Sequence, residues 1–394
     1  MGTETPMTVI DDALADGLGR LRELDLGDAF EPRAAEAIVL SGLHALVVPG
    51  SAGGLGARMA EAAEVLMSVG AVDGATTLGF AMQVHVVGAL VDSVAVPDGL
   101  RDRLFRAIVV DGALVNNAAT EEGGGSPARG AVPGTTAVAE ADGTWRLTGE
   151  KTWTTWLPNL SHAFVTARVA RSDPVEVGVW FVDLAADGIG RLPGFEALGM
   201  RGSASGRLVL DGVRVPADAL VVRRRVDEPD PRGPAPGAWF GIAIAATYVG
   251  VGEGARDAVA RWARDRRPGD GTASVADVPS VQVRLGRADA DLRAARIVVR
   301  DVARRWDLAA AGGDAAGMAV AAADVPLAKL IATRAAVAAT DEALRVAGGP
   351  GFLPGSLERA FRDARAGLIN PPLEDVALSG FGRAVFDRVG PGAG

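Results

Sequence analysis

Residues 147–155 read Leu-Thr-Gly-Glu-Lys-Thr-Trp-Thr-Thr and lie within a block whose texture differs from that of the rest of the chain. From about residue 113 to residue 222, apolar and β-branched residues occur in short or alternating runs that turn residues separate. Asp142-Gly143 lies between two such runs and is typical of a hairpin, because glycine accepts the positive φ that the turn demands. This block therefore predicts an all-β domain.

The sequence on either side of this block has the period of helices. A linker rich in proline and glycine, 227–237, separates the β block from the second helical part. Helical spacing of apolar residues is found at about 59–69, 239–267, 280–305, 318–347 and 373–387. We therefore predict an α+β protein with an N-terminal helical domain (1–112), a middle β domain (113–226) and a C-terminal helical domain (227–394).

The composition argues against several kinds of protein. The 394 residues include no cysteine, which excludes disulfides, thiolate metal sites and cysteine nucleophiles. The three histidines, His44, His85 and His162, show no zinc-binding spacing, so we predict no metal site. A formal net charge of −9 argues against a nucleic-acid partner.

The N-terminal sequence does not resemble a secretory signal. Residues 1–18 carry Glu4, Asp11, Asp12 and Asp16 but no basic residue, whereas a signal needs a basic start and an apolar run. We also expect no transmembrane helix, on the premise that no stretch approaches 18 uncharged apolar residues. These expectations place the chain in the cytoplasm with no membrane partner.

A glycine-rich segment opens the β block. Residues 120–126 read Thr-Glu-Glu-Gly-Gly-Gly-Ser, and its glycines leave backbone N–H groups able to meet an anion beside a serine hydroxyl. In isolation this segment is more typical of a plain loop than of an anion site.

Six pieces of sequence together resemble the acyl-CoA dehydrogenase family in order and spacing. They are Val47–Pro49 with Gly53–Gly56, Thr120–Ser126, Leu147–Thr155, Leu198–Ser203, Val213–Pro216, and Gly348-Gly349 followed by Glu358-Arg359 and Arg362–Arg365. The resemblance covers nearly the whole chain. It implies an acyl-CoA dehydrogenase-like fold with a helical N-terminal domain, a β-barrel-like middle domain and a C-terminal four-helix bundle.

The resemblance also implies a flavin between the β domain and the C-terminal helices. By position, Thr120 would hydrogen-bond the pyrimidine edge of the isoalloxazine, and Ser126 would meet the FAD pyrophosphate. Trp153 would pack against one face of the rings, since an indole offers a large rigid apolar plane. Thr155 would donate towards flavin N5, and two positions along one strand would place it on the same face as Trp153.

In the family, a neighbouring subunit completes the FAD site, which implies a homotetramer or a dimer built on the same helices. Arg266, Gly348 and Gly349 occupy the corresponding positions here. The phenylalanine that should follow the arginine is lost among residues 268–271, and Pro279 stands where a glutamine is expected. FAD is the first cofactor we expect from the resemblance. These departures concern the adenosine half, which FMN lacks, so FMN is possible as well.

The family's catalytic base is replaced in this chain. Dehydrogenases of the family remove an α-proton with a glutamate while hydride leaves for the flavin, and an ungapped alignment puts Pro371 at that glutamate. Some members place the base on an earlier helix, at a position that falls on Phe240 here. Neither residue can accept a proton. Glu374 and Asp375 follow closely and are the candidates for a relocated base, although Asp375 also suits a helix start.

Three functions are compatible with this pattern. The first is α,β-dehydrogenation of an acyl thioester, on coenzyme A or a carrier protein, with a relocated base and an electron-transfer flavoprotein as acceptor. The second is a monooxygenase of the same fold that acts on an aromatic or aliphatic small molecule and receives reduced flavin through a flavin reductase. The third is a partner subunit without a base in a hetero-oligomeric dehydrogenase.

Overall fold

The computed structural model describes residues 6–93, 95–123, 132–269 and 273–389. The chain forms two compact units. The first comprises Met1–Ala62, Ala75–Ala197 and Arg201–Phe240, and the second comprises Ala63–Gly74, Leu198–Met200 and Gly241–Gly394. These two units are each built from separate segments of the chain and do not correspond to the three predicted domains. The three-domain division at residues 112 and 226 therefore stays a prediction.

Helices precede and follow the strands, as predicted. The helices are α1 (Pro6–Arg22), α2 (Pro32–Leu40), α3 (Met59–Gly70), α4 (Gly74–Val91), α5 (Asp98–Asp111), α6 (Ala235–Asp265), α7 (Pro279–Ala311), α8 (Ala315–Ala323), α9 (Val325–Ala347), α10 (Ser356–Ile369) and α11 (Glu374–Val389). The helix expected over 318–347 is two helices, and Asp324 lies between α8 and α9. Pro326 lies in the first turn of α9. Proline has no backbone N–H to donate, so it is tolerated in the first turn of a helix but would interrupt the interior of one continuous helix.

The strands form one mixed sheet in the first unit. They are β1 (Val115–Ala118), β2 (Thr136–Ala139), β3 (Trp145–Thr154), β4 (His162–Val169), β5 (Glu176–Asp183), β6 (Ile189–Leu192), β7 (Gly206–Val215) and β8 (Leu220–Arg225). Their order is β6-β7-β3-β2-β4-β5-β8, and β1 pairs in parallel with β4. The predicted hairpin is confirmed: Ala139 pairs with Trp145, and Gly143 has a φ of 86°.

The second unit is helical. Helix α9 packs against α7 and α10. Near their C-terminal ends, α6 and α9 share a core cluster that includes Val259, Ala263, Ala343 and Val346. The prediction of an α+β chain with a helical C-terminal part is thus confirmed.

Three helical stretches in the described ranges are long and apolar enough to cross a membrane by length and composition. They are Gly74–Val91, Ala235–Asp265 and Ala315–Ala347, with 94%, 83% and 33% of the apolar window buried inside the protein. The premise that no such stretch exists is therefore wrong, since the 18 residues of α4 include no charged side chain. For the first two, burial within the protein accounts for the apolar composition.

Candidate functional site

Two of the predicted flavin residues lie at the end of β3, Trp153 within the strand and Thr155 directly after it, and the backbone here is irregular. The pairing of β3 with β7 shifts register between Lys151 and Thr154, and Trp153 has a φ of 57°. This irregularity turns Trp153 outward, so that its side chain is 47% exposed while Thr155 is buried. The prediction that Trp153 and Thr155 share one strand face is therefore wrong, because a bulge breaks the alternation of side chains.

The exposed indole of Trp153 is not isolated. Its ring stacks on that of Phe195, with centroids 4.3 Å apart and planes inclined by 27°. Phe195 is itself 41% exposed. The two rings form an apolar platform at the surface of the first unit, which is the property needed to pack against a planar ligand.

Thr155 belongs to a chain of hydroxyl groups. Its Oγ1 lies 3.0 Å from Ser205 Oγ, which in turn lies 2.9 Å from Ser203 Oγ. Asn116 Nδ2 donates to the Thr155 carbonyl at 3.0 Å and so fixes the backbone at this point. The hydroxyl of Thr155 is thereby held in place and can exchange hydrogen bonds with a ligand or with Ser205.

Two further hydroxyls on β3 fit a bound polar group. Thr152 Oγ1 and Thr154 Oγ1 are buried, and neither has a hydrogen-bond partner among the described residues. Buried polar atoms are normally paired, so these hydroxyls suit a ligand that supplies the missing partners. The residues around Trp153 therefore fit a flavin ring with polar edges.

Thr120 lies beside this strand. Its side chain is half-buried, and its carbonyl accepts from Thr152 N at 2.9 Å. The structure thus brings Thr120 next to the strand segment of Trp153 and Thr155. Ser126, predicted to meet the pyrophosphate, lies outside the described residues.

A buried ion pair that sequence reasoning missed ties Glu121 to β3. Lys151 Nζ, fully buried, lies 2.5 Å from Glu121 Oε1, which also accepts from Thr135 Oγ1 at 2.6 Å. Burial lowers the pKa of Lys151, and Glu121 opposes that change by favouring the ammonium. Breaking such a buried pair would typically cost about 3–5 kcal/mol, because one charge would stay uncompensated. The signal in the sequence was that Lys151 is one of only two lysines.

Helix α4 packs directly on the residue that follows Thr155. A Cβ on Gly79 would come within 2.1 Å of Trp156, whose side chain is almost fully buried. One turn further along, Gln83 Oε1 accepts from Val115 N at 2.7 Å. This face of α4 therefore positions both β1 and the end of β3.

Another face of α4 meets the start of α6. His85 lies edge-on to Phe240, with ring centroids 5.2 Å apart and planes at 80°. Its Nδ1 is buried and has no hydrogen-bond partner within the described ranges. Burial lowers the pKa of His85 to about 4, so the imidazole is neutral near pH 7. Sequence reasoning missed this histidine, because nothing in its local sequence placed it against Phe240.

In the second unit, three predicted residues lie at one end of the helices. Arg266 follows α6 and Gly348 follows α9, and the adjoining ends of these helices share one core cluster. Gly348 has a φ of 62° and a ψ of −139°, which only glycine adopts without strain. A Cβ on Gly349 would meet nothing within 4 Å. The open space beside Gly349 is compatible with the predicted approach of a neighbour's cofactor.

The predicted position of the family's glutamate lies just beyond α10. Asn370 ends that helix, its N–H bonding Ala366 O at 3.1 Å, and Pro371 follows. Tyr248 donates to Asn370 Oδ1 at 2.6 Å, and Lys329 donates to Gly367 O at 2.6 Å. Burial lowers the pKa of Lys329 to about 8. The segment at the predicted base position is therefore held by buried side chains.

The two candidate replacement bases do not share this environment. Glu374 lies in an ion pair with Arg334 at 2.5 Å, and that hydrogen bond lowers the pKa of the carboxyl. Asp375 is exposed on the first turn of α11. A paired carboxylate of lowered pKa is a weak proton acceptor. Their assignment as bases stays a prediction.

The second unit also contains a polar cavity of about 170 Å³. Asp73, Arg261, Arg359 and Asp363 contribute charged groups to its lining. Asp363 accepts from Met200 N at 2.5 Å, and burial raises the pKa of its carboxyl to about 6. Asp363 therefore ties the 198–200 segment to α10.

Comparisons with known proteins identify the family. The family model "Acyl-CoA dehydrogenase, middle domain" matches residues 116–213, and "Acyl-CoA dehydrogenase, C-terminal domain" matches residues 242–369. YdbM of Bacillus subtilis, a protein provisionally named an acyl-CoA dehydrogenase, is 31% identical over 88% of this chain and 87% of its own length. The chain belongs to the acyl-CoA dehydrogenase family. Membership of this family makes it a flavin-dependent oxidoreductase.

Other relatives carry out different chemistry. The amino sugar nitrososynthase RubN8 of Streptomyces rubradiris is 26% identical over 94% of this chain and 86% of its own length. The solved structure of KijD3 in complex with FMN and a dTDP-linked amino keto sugar has a TM-score of 0.85 at 24% identity, covering 100% of this chain and 96% of the other. At that identity the structural likeness shows the fold alone, and it confirms the fold class predicted from the sequence.

Proposed function

We propose that this protein is a monooxygenase that uses reduced flavin to oxygenate a small organic molecule, and does not dehydrogenate an acyl thioester. One observation carries the proposal: neither position at which the family holds its base has a group that accepts a proton. Pro371 stands at one and Phe240 at the other. The ion pair of Glu374 with Arg334 further reduces the basicity of the nearest replacement.

Oxygenation does not need that base. When bound and reduced, a flavin supplies two electrons, so that dioxygen delivers one oxygen atom to the substrate and the other leaves as water. The residues of this chain would hold and orient the two molecules. Trp153 offers the ring platform, and Thr120 and Thr155 offer polar partners for the ring edges.

The cofactor is proposed to be FAD or FMN. The residues that we assign to the ring system serve the part that both nucleotides share, whereas the adenosine half shows the departures at 268–271 and Pro279. KijD3, a protein of the same fold, is seen with FMN. Micromolar binding titrations of both nucleotides would decide between them.

Dehydrogenation with a relocated base is the second candidate. It is supported by the segment from Trp153 to Thr155, which resembles the dehydrogenases, and by the relationship to YdbM. A partner subunit without a base is a third. In that case acyl-thioester oxidation would require a co-purifying paralogue.

We also propose a homotetramer, or a dimer that uses the same helices. Apolar side chains on α7 are exposed in the single chain: Val283, Ile297 and Leu308 are 62%, 66% and 76% exposed. These side chains lie about four and three helical turns apart on α7, and a second copy packed along this helix would cover them. The proposed external partner is a flavin reductase for oxygenation, or an electron-transfer flavoprotein for dehydrogenation.

One experiment separates these functions. The flavin-loaded protein is mixed anaerobically with butyryl-CoA while flavin absorbance is followed. In parallel, it is supplied with NADH, a flavin reductase and ¹⁸O₂ in the presence of a library of small aromatic and aliphatic compounds. We expect no anaerobic bleaching and ¹⁸O in a product, with loss of that product in Trp153→Ala. Anaerobic bleaching by the thioester, or no label in any product, would contradict the proposal.

A further inference from the structure

The segment at the usual base position contains one polar side chain with a fixed orientation. Tyr248, the single tyrosine of the chain, is fully buried and lies with its hydroxyl 2.6 Å from Asn370 Oδ1. Asn370 directly precedes Pro371. The side chain of Asn370 is half-buried, so it remains accessible from one side.

The chemistry of this pair decides which end of the amide faces the phenol. A separation of 2.6 Å suits an O–H···O bond, whereas N–H···O bonds are usually about 2.9–3.0 Å long. Burial raises the pKa of Tyr248 far above its usual value, so the phenol keeps its proton and donates it. The amide oxygen of Asn370 is thus the acceptor, and its Nδ2 is the end turned away from Tyr248.

The backbone that carries Asn370 is also tightly held. Lys329 Nζ donates to Gly367 O at 2.6 Å. A Cβ on Gly367 would come within 2.8 Å of Thr333 and 3.2 Å of Tyr248, which leaves no room for a side chain. A group supported in this way presents its hydrogen bonds in one geometry, as a recognition site requires.

We propose that Asn370 Nδ2 donates a hydrogen bond to the substrate, and that Tyr248 is the positioning residue that aims it. In the part of the chain that the structure describes, Nδ2 donates to no other acceptor. The site thereby favours a substrate with a carbonyl or hydroxyl oxygen at this point, where the dehydrogenases instead keep a proton acceptor. The inference rests on the proposed function for the view that residues 370–372 face the substrate.

The test measures binding to the flavin-loaded protein in its oxidised form, without turnover. The probes are matched pairs that differ in an oxygen acceptor: acetophenone with ethylbenzene, and butyryl-CoA with its thioether S-butyl-CoA. In one pair or both we expect the parent to bind the carbonyl probe about tenfold more tightly than its partner, the factor that one hydrogen bond typically contributes. Equal affinities within both pairs, or no binding of any carbonyl probe, would overturn the inference.

Variants separate recognition from folding. Asn370→Leu removes the donor, and Tyr248→Phe frees the amide to rotate; both should bring the affinity ratio of the pair close to one. A merely structural role would weaken both members of a pair equally and leave their ratio unchanged. Ser379→Ala, an exposed change on α11, is the control and should keep the parent's ratio.

The outcome is independent of the oxygenation assay. A preserved ratio in both variants contradicts the role of Asn370 even if labelled product forms. A lost ratio without labelled product supports the role of Asn370 and contradicts oxygenation.

Discussion

Replacing Gly79 by alanine tests the contact that positions the end of β3. In the middle of an exposed helix this change would stabilise the protein by up to about 1 kcal/mol, because alanine is the better helix former. Here the new Cβ would lie 2.1 Å from Trp156 Cε2 and 2.2 Å from Cδ2. Carbon atoms normally approach to about 3.5–4.0 Å, so the helix or the buried indole must move by about 1.4 Å or more.

Neither partner moves easily, since Gly79 lies inside α4 and Trp156 is 1% exposed. Overpacking of this kind costs about 1–3 kcal/mol, and occasionally more. An approach of 2.1 Å to a buried ring puts this cost at the upper end of the range, about 3 kcal/mol. After a gain of up to about 1 kcal/mol in helix propensity, we expect Gly79→Ala to lower the free energy of unfolding by about 2 kcal/mol. Because Trp156 follows Thr155, flavin affinity should fall as well.

Urea unfolding and flavin titration of the same samples measure both effects. The matched control is Gly19→Ala in α1, where a Cβ meets nothing within 4 Å and stability should be unchanged or slightly higher. If Gly79→Ala unfolds at the parent's urea concentration and binds flavin equally well, the packing of α4 on Trp156 does not position the site as argued.

Three further predictions concern Trp153, His85 and Pro371. Trp153→Ala should weaken flavin binding at least tenfold in a fluorescence titration, since stacking on an aromatic plane is lost; unchanged affinity would refute that assignment. The folded pKa of His85, about 4, lies below its ordinary 6.5, so stability should fall as the pH drops from about 6.5 to about 4. The free energy of unfolding should be lower by about 3 kcal/mol at pH 4 than at pH 6.5. If a His85→Gln variant loses as much stability over the same pH range, His85 is not the cause of the loss. Pro371→Glu should fold with a cost of at most about 1 kcal/mol and, if the pocket keeps the shape of a dehydrogenase, gain anaerobic flavin bleaching by butyryl-CoA; continued inertness would show that the pocket differs in shape as well.

Local sequence patterns were sufficient for most strands and helices. The hairpin predicted at Asp142-Gly143 joins β2 and β3, and the helix predicted over 59–69 differs from α3 by one residue. Such elements depend on the period of their own apolar residues and on turn residues such as Gly143, whose positive φ was expected. The order of the motifs was likewise sufficient to predict the family, because each motif lies in a contiguous segment.

Helix α10 was not predicted as a helix, although its motif of residues 362–365 was. Its sequence does carry a helical pattern, since Leu357, Phe361, Ala364 and Leu368 are spaced at i, i+4, i+7 and i+11. The prediction for this segment rested on the family motif and did not use this period. Packing against α9 adds the tertiary contacts that stabilise the helix.

The sequence by itself determined the family and the succession of helical and β parts, and it predicts that Pro371 stands where the family keeps its base. Only the tertiary structure decided which side chains meet: Trp153 with Phe195, His85 with Phe240, Glu374 with Arg334, and Tyr248 with Asn370. The partners in these pairs are 40 to 155 residues apart. Hydrophobic period and turn chemistry act over a few neighbouring residues, whereas the pKa of a carboxyl or the orientation of an amide depends on groups that folding brings within a few ångströms.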